Sequence, residues 1–239
     1  MNYLEKNLKQ RFNKKRFDPS KQSFFALYIW RKLSLPLTFI FSYTFFTANM
    51  VTGLSYIFVL FALYFYYILG AMNLLYGSIC LFLYSVLDHV DGEIARLKGH
   101  SSFRGRLFEN HVGVVKDGFI IFILTHNLYN QTDSLNTWYL GFLIMSLTYI
   151  SSSLLTEVRI ENLKSEETQN HISREMGLKF FNIPLNKIYS FFFSGVTRNI
   201  SILILAGLNQ LSILFNMLLL IVAVDSLLLL YIVFFRLFK

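Results

Sequence analysis

The sequence predicts an all-α integral membrane protein, with six transmembrane helices preceded by an N-terminal amphipathic surface helix. Three observations carry that expectation. The chain is 54% hydrophobic and only 15% charged, and its apolar residues come in long runs rather than in an amphipathic rhythm. Its basic residues are distributed so that alternate connections between the runs contain no Lys or Arg. Residues 88–117 gather charge between two of the runs, where charge is costly unless it has a task.

Residues 1–32 hold nine Lys or Arg, interleaved with Leu4, Leu8, Phe12, Phe17, Phe24, Phe25 and Trp30. Asp18-Pro19-Ser20 reads as a turn and helix start, with Asp18 as cap and Pro19 at the first helical position. The stretch has neither a leading apolar core nor a small-residue cleavage site, so a signal peptide is not expected. It reads as a basic amphipathic cytosolic segment lying on an anionic leaflet.

Residues 33–239 read as one membrane domain. A bilayer core about 30 Å thick takes roughly 20 residues of helix. Spans are expected at about 47–68, 72–90, 107–127, 137–157, 196–209 and 211–235. The fifth is short, because ten residues separate Arg198 from Asn209-Gln210. Yet 199–235 is too long for one helix. A tilted helix entering from around Tyr189, followed by a tight turn at Asn209-Gln210, reconciles the two.

With the N-terminus in the cytosol, the outside connections fall near 69–71, 128–136 and 209–210, and none holds a Lys or Arg. All 22 basic residues then lie on the cytosolic side or at its membrane edge, with both termini and the charged stretch cytosolic. Omitting the fifth span would put Arg236 and Lys239 outside. The longest polar connection, about 158–195, alternates Lys164, Arg174, Lys179 and Lys187 with Glu161, Glu166, Glu167 and Glu175. The net charge of +8 is thus directed at a membrane surface, and no nucleic-acid partner is expected. A single Cys80 in an apolar run excludes a disulfide framework. Asn130-Gln131-Thr132 is a formal glycosylation sequon on an outside loop. Asn216 and Asp225-Ser226 in the last span are expected to face the bundle interior.

Residues three and four apart share a helix face, so Asp88, Asp91, Gly92 and Ala95 line one stripe at the cytosolic end of the second span. Two carboxylates one turn apart offer hard oxygen ligands to a divalent cation, and the small residues leave room beside it. Ser102, Gly105 and Glu109 repeat the arrangement on the next helix. Two helices joined by a short loop could then bring three carboxylates to one metal, with Arg96 in reach of a phosphate held there.

Asp88-x2-Asp91-Gly92-x2-Ala95-Arg96-x8-Gly105-x3-Glu109 resembles the signature of CDP-alcohol phosphotransferases. Six positions match by identity and Glu109 matches as a longer carboxylate. Asn49-Met50-Val51-Thr52 is similar to the family's Asn-x-x-Thr element that contacts the nucleotide, with Ala48 where a Pro commonly precedes it. The resemblance implies the six-span architecture and a CDP-linked alcohol donor bound at Mg²⁺ or Mn²⁺. It further implies attack on the β-phosphorus by the hydroxyl of a lipid or small-alcohol acceptor, with CMP leaving. By position, Asp88, Asp91 and Glu109 would hold metal. Asn49, Thr52, Asp88, Asp91, Gly92, Ala95, Arg96, Ser102 and Gly105 would surround the CDP moiety, and Arg198 would face the acceptor or its phosphate. A homodimer is implied because members often dimerise.

One departure stands out. The family's last Asp, which activates the acceptor hydroxyl, falls at Gly113 here. The candidate replacements are His111, Asp117 with its neighbour Lys116, or a group supplied by the acceptor. Asp117 lies one turn beyond Gly113 on the same face, about 6 Å along the axis, and His111 has a suitable intrinsic pKa but sits on nearly the opposite face from Glu109. The alternative expectation is a catalytically impaired CDP- or lipid-binding membrane scaffold of the same fold. A polyprenyl transferase would need a second aspartate-rich loop, and residues 158–195 contain no Asp.

Overall fold

A computed structural model describes residues 30–98, 103–168 and 195–237, and every described element is an α-helix. Most of the basic segment 1–32 and the larger part of the connection 158–195 lie outside the described residues, as does Ser102. In chain order the helices are α1 (Arg31–Ser42), α2 (Ala48–Tyr67), α3 (Ala71–Lys98), α4 (Phe103–Thr132), α5 (Asn136–Thr168), α6 (Gly195–Gly207) and α7 (Leu211–Leu237). Helices α2 to α7 fall on the six stretches in which spans are expected. Among the described residues four stretches are long and apolar enough to cross a membrane: Ala48–Tyr67, Ala71–Lys98, His111–Thr132 and Leu211–Tyr231. Helix α5 is richer in Ser, Thr, Tyr and Trp, and α6 has only 13 residues.

Two elements differ from the sequence expectation. Helix α1 crosses the expected boundary at residue 32 and forms despite Pro36, which removes one backbone donor. Helix α5 runs to Thr168, well past residue 158 where a connection was expected. No Gly or Pro interrupts 158–168, and Glu161 and Lys164 stand at helical spacing, so nothing local stops the helix at the end of its apolar run.

Local chemistry sets the helix ends. Thr47 caps α2, its side chain accepting from Met50 N at 3.3 Å. The turn expected at Asn209-Gln210 is a Schellman ending of α6: Asn209 N bonds Ala206 O at 2.9 Å, Gln210 N bonds Leu205 O at 2.7 Å, and Asn209 takes a φ of 56°. Gly70, at φ 128°, turns the chain between α2 and α3.

Helix α2 packs along α3, α4 against α5, and α6 and α7 close the bundle, with one core joining Tyr66, Leu74, Leu81, Leu124, Ile144, Phe215 and Leu218. Glycines let the helices approach. A Cβ on Gly77 would stand 2.5 Å from the Tyr66 ring, and one on Gly141 would overlap the Thr125 side chain. At one end, Asn127 Nδ2 donates to Tyr66 O at 3.1 Å and Gln131 Nε2 to Asn209 Oδ1 at 2.8 Å. These bonds gather the three connections without Lys or Arg at a single end of the bundle. The sequon's Asn130 is in the last turn of α4, donating to His126 O at 2.7 Å. Asp225 and Ser226 are buried as expected, but Asn216 is exposed on the outer side of α7.

Helix α1 packs on α3 through Trp30 and Leu37 and buries two hydroxyls beside them. Ser34 and Thr38 are buried, while Leu33, Phe39, Ile40 and Tyr43 face outward. The buried hydroxyls serve Glu93, which accepts from Thr38 Oγ1 at 2.7 Å and Ser34 Oγ at 3.2 Å.

Candidate active site

The charged end of α3 holds the candidate site. Asp91 is 5% exposed, and Thr52 Oγ1 of α2 lies 2.6 Å from its Oδ2 and 3.0 Å from Ala48 O. A hydroxyl has one hydrogen, and the shorter contact has the length of an O–H donating to a carboxylate. Thr52 and Asp91, 39 residues apart, are therefore joined across two helices. Asn49 is exposed one turn earlier on α2. It is not the helix cap, a role taken by Thr47.

Asp88, one turn before Asp91, is exposed, and Tyr84 donates its hydroxyl to Oδ1 at 3.2 Å. Between the carboxylates and the helix end, Arg96 folds back along α3. A Cβ on Gly92 would stand 3.4 Å from Arg96 Nη1 and 3.6 Å from Nη2. The bare surface at Gly92 lets a guanidinium lie on the acidic stripe. Ala95 is half-buried beside it. Lys98 Nζ donates to Phe46 O at 2.7 Å, tying the end of α3 to the turn before α2.

Gly105 and Glu109 lie in the first turns of α4, where the side chains of residues 103–110 are outside the described set. Among the described residues no three His, Cys, Asp or Glu side chains gather around a metal position. The two candidate bases point differently. His111 is exposed and lines a groove with Met145, Thr148, Tyr149 and Ser152 of α5. Asp117 Oδ1 lies 2.8 Å from Lys116 Nζ, which in turn sits 4.5 Å from the centroid of the Tyr84 ring on α3. At Gly113 an added Cβ would meet no heavy atom within 4 Å, so packing does not demand glycine there. Arg198, on α6 beside α3, has buried Nε and Nη1 atoms with no hydrogen-bond partner among the described residues.

Tyr84 and Glu93 are the site neighbours that sequence reasoning passed over. Tyr84 precedes Asp88 by four residues, a face-sharing spacing, and Ser34 and Thr38 form an i, i+4 hydroxyl pair in an otherwise apolar helix. Both signals are readable, but neither names its partner.

No curated protein matches the chain. The family model described as CDP-alcohol phosphatidyltransferase matches residues 45–222, a range that begins just before the Thr47 cap and takes in α2, α3, α4 and Arg198. The match covers the acidic stripe of α3, its Thr52 partner on α2 and most of the apolar helices around them, and the chain belongs to the CDP-alcohol phosphatidyltransferase family, a family of transferases.

Proposed function

We propose that this protein is a divalent-metal-dependent CDP-alcohol phosphotransferase with six spans. Its termini and site face the cytosol, and it moves a phosphoalcohol or phosphatidyl group from a CDP-linked donor to an acceptor hydroxyl. CMP leaves, and the product is a phospholipid or related phosphodiester. The observation that carries the reading is the buried Asp91 carboxylate, held by Thr52 from the neighbouring helix with Asp88 exposed one turn away and Arg96 folded over Gly92.

The donor set suits Mg²⁺ or Mn²⁺. Asp88 and Asp91 supply hard oxygens from one face, and a third carboxylate, Glu109, lies in the first turns of the next helix. When bound, such a cation neutralises charge developing on the transferring phosphate. Arg96 binds the pyrophosphate, Gly92 and Ala95 leave its approach open, and Asn49, Thr52, Ser102 and Gly105 surround the cytidine. Arg198 offers guanidinium atoms that have no partner among the described residues to a phosphate on the acceptor. His111 and Asp117 are the side chains available to take the acceptor's proton. Purified protein should release CMP from CDP-alcohols with Mg²⁺ or Mn²⁺, and activity that survives Asp91→Ala would remove the mechanism.

A second reading rests on Gly113, which bears no proton acceptor in a space that would admit one. The protein would then bind CDP compounds without turning them over. Metal-dependent CDP binding with no CMP release across a panel of acceptors supports this reading, and release with any of them overturns it.

A further inference from the structure

Lys116 places an amine inside the apolar stretch His111–Thr132, and it is only 7% exposed. A buried ammonium is costly unless it is paired. Its partners are Asp117 Oδ1 at 2.8 Å and the face of the Tyr84 ring, 4.5 Å from the centroid. The Asp117 oxygen is buried and makes no aligned hydrogen bond despite the short distance. The attraction is therefore one of charge, which needs proximity more than alignment.

The other edge of Tyr84 meets the site, where its hydroxyl donates to Asp88 Oδ1 at 3.2 Å. The ring is buried and also packs on Tyr56, with centroids 5.9 Å apart. A rigid aromatic side chain thus bridges a buried ion pair on α4 and an exposed carboxylate on α3. Among the described residues this bond is the hydrogen bond that restrains the Asp88 side chain.

We propose that Tyr84 is a positioning residue for Asp88. Its hydroxyl holds Oδ1 and would leave Oδ2 for a cation, while Lys116, anchored by Asp117, fixes the ring that carries the hydroxyl. This inference rests on the metal site proposed above. It gives the Lys116–Asp117 pair a task distinct from proton transfer, that of holding the first carboxylate of the stripe in one orientation.

The test is Mn²⁺ binding to purified full-length protein, read by electron paramagnetic resonance of the free ion, with thermal unfolding as a check on folding. Tyr84→Phe keeps the ring and removes the hydroxyl. It should weaken Mn²⁺ binding about 10-fold, the scale on which residues that orient metal ligands act. Lys116→Met should weaken it several-fold, and the double variant should lose little more than Tyr84→Phe alone. Wild-type binding of Mn²⁺ with an unchanged affinity in Tyr84→Phe overturns the inference while leaving the metal site standing. Should Tyr84→Phe fail to fold, unchanged binding in Lys116→Met has the same consequence. A wild-type protein that binds no Mn²⁺, or an Asp91→Ala variant that binds it as well as wild type, overturns the metal site and the inference with it.

Discussion

Gly77→Ala tests the packing of α2 on α3 with a single methyl group. The new carbon would stand 2.5 Å from Tyr66 Cδ1, 2.6 Å from Cε1 and 3.1 Å from Cγ, against a ring with no exposed surface. Relief requires the ring to move by about 1 Å to reach ordinary carbon contact. That movement strains the bond between the Tyr66 hydroxyl and Ser78 Oγ, 3.0 Å apart on the residue next to Gly77. Overpacking costs about 1–3 kcal/mol, and losing the hydrogen bond about 1 kcal/mol. Replacing glycine by alanine inside a helix returns about 1 kcal/mol. The net is a loss of about 1–3 kcal/mol, a drop in unfolding temperature on the order of 5 °C for a chain of this size. The assay is thermal unfolding in a mild detergent, repeated in a Tyr66→Leu background where the ring is gone. There Gly77→Ala should be neutral or stabilising. An equal loss in both backgrounds, or a gain in the wild-type background, would refute the assigned contact.

Thr52→Val keeps the shape of the side chain and removes the donor to Asp91. Mn²⁺ binding should weaken about 10-fold, and unaltered binding by calorimetry would show that the cross-helix bond does not shape the site. Thr38→Val removes the shorter of the two bonds to buried Glu93, at a cost of about 1.5–3 kcal/mol for a hydrogen bond to a charged group. Amide exchange over 31–42 should accelerate, with Ser34→Ala having the smaller effect. The Cβ added by Gly113→Asp meets no heavy atom within 4 Å, so its unfolding temperature should stay within a few degrees of wild type. If a missing base limits turnover, CMP release should rise about 10²–10⁴-fold, and a folded variant with unchanged release would place the limit elsewhere. Asn209→Ala puts a residue with a Cβ but no polar side chain in the left-handed position and removes the partner of Gln131, costing about 1–2 kcal/mol. Asn209→Gly should cost less, and the reverse order in thermal unfolding would contradict the turn.

Helices were legible where apolar runs met turn residues. The ends of α2 and the break at Asn209-Gln210 follow from composition and capping, and the stripe Asp88, Asp91, Gly92 follows from helical spacing. Which way each helix faces was less legible. In water a polar face marks the outside, but here both lipid and core are apolar, so hydropathy does not separate them. Asn216 was expected inside and is exposed, whereas Gly77 and Gly141, which mark the closest approaches, carry no hydropathy signal at all. The cross-helix partners of Glu93 and Tyr84 lie 55 and 32 residues away in the chain, beyond any local pattern.

Helix α1 wears its oil on the outside, and that places a condition on handling the protein. Leu33, Phe39, Ile40 and Tyr43 need an apolar surround, whereas Ser34 and Thr38 bond Glu93 and Trp30, Leu37 and Phe41 pack on the bundle, so hydrocarbon over the outer surface adds to what holds the helix in place. A solubilising agent that strips this layer weakens the hold on α1 and can let it leave α3. Glu93 would then lose both hydroxyl donors, two residues from Asp91 on the same helix. Loss of activity on extraction would in that case report a displaced helix at the edge of the site rather than an unfolded bundle, and returning the protein to lipid would restore it.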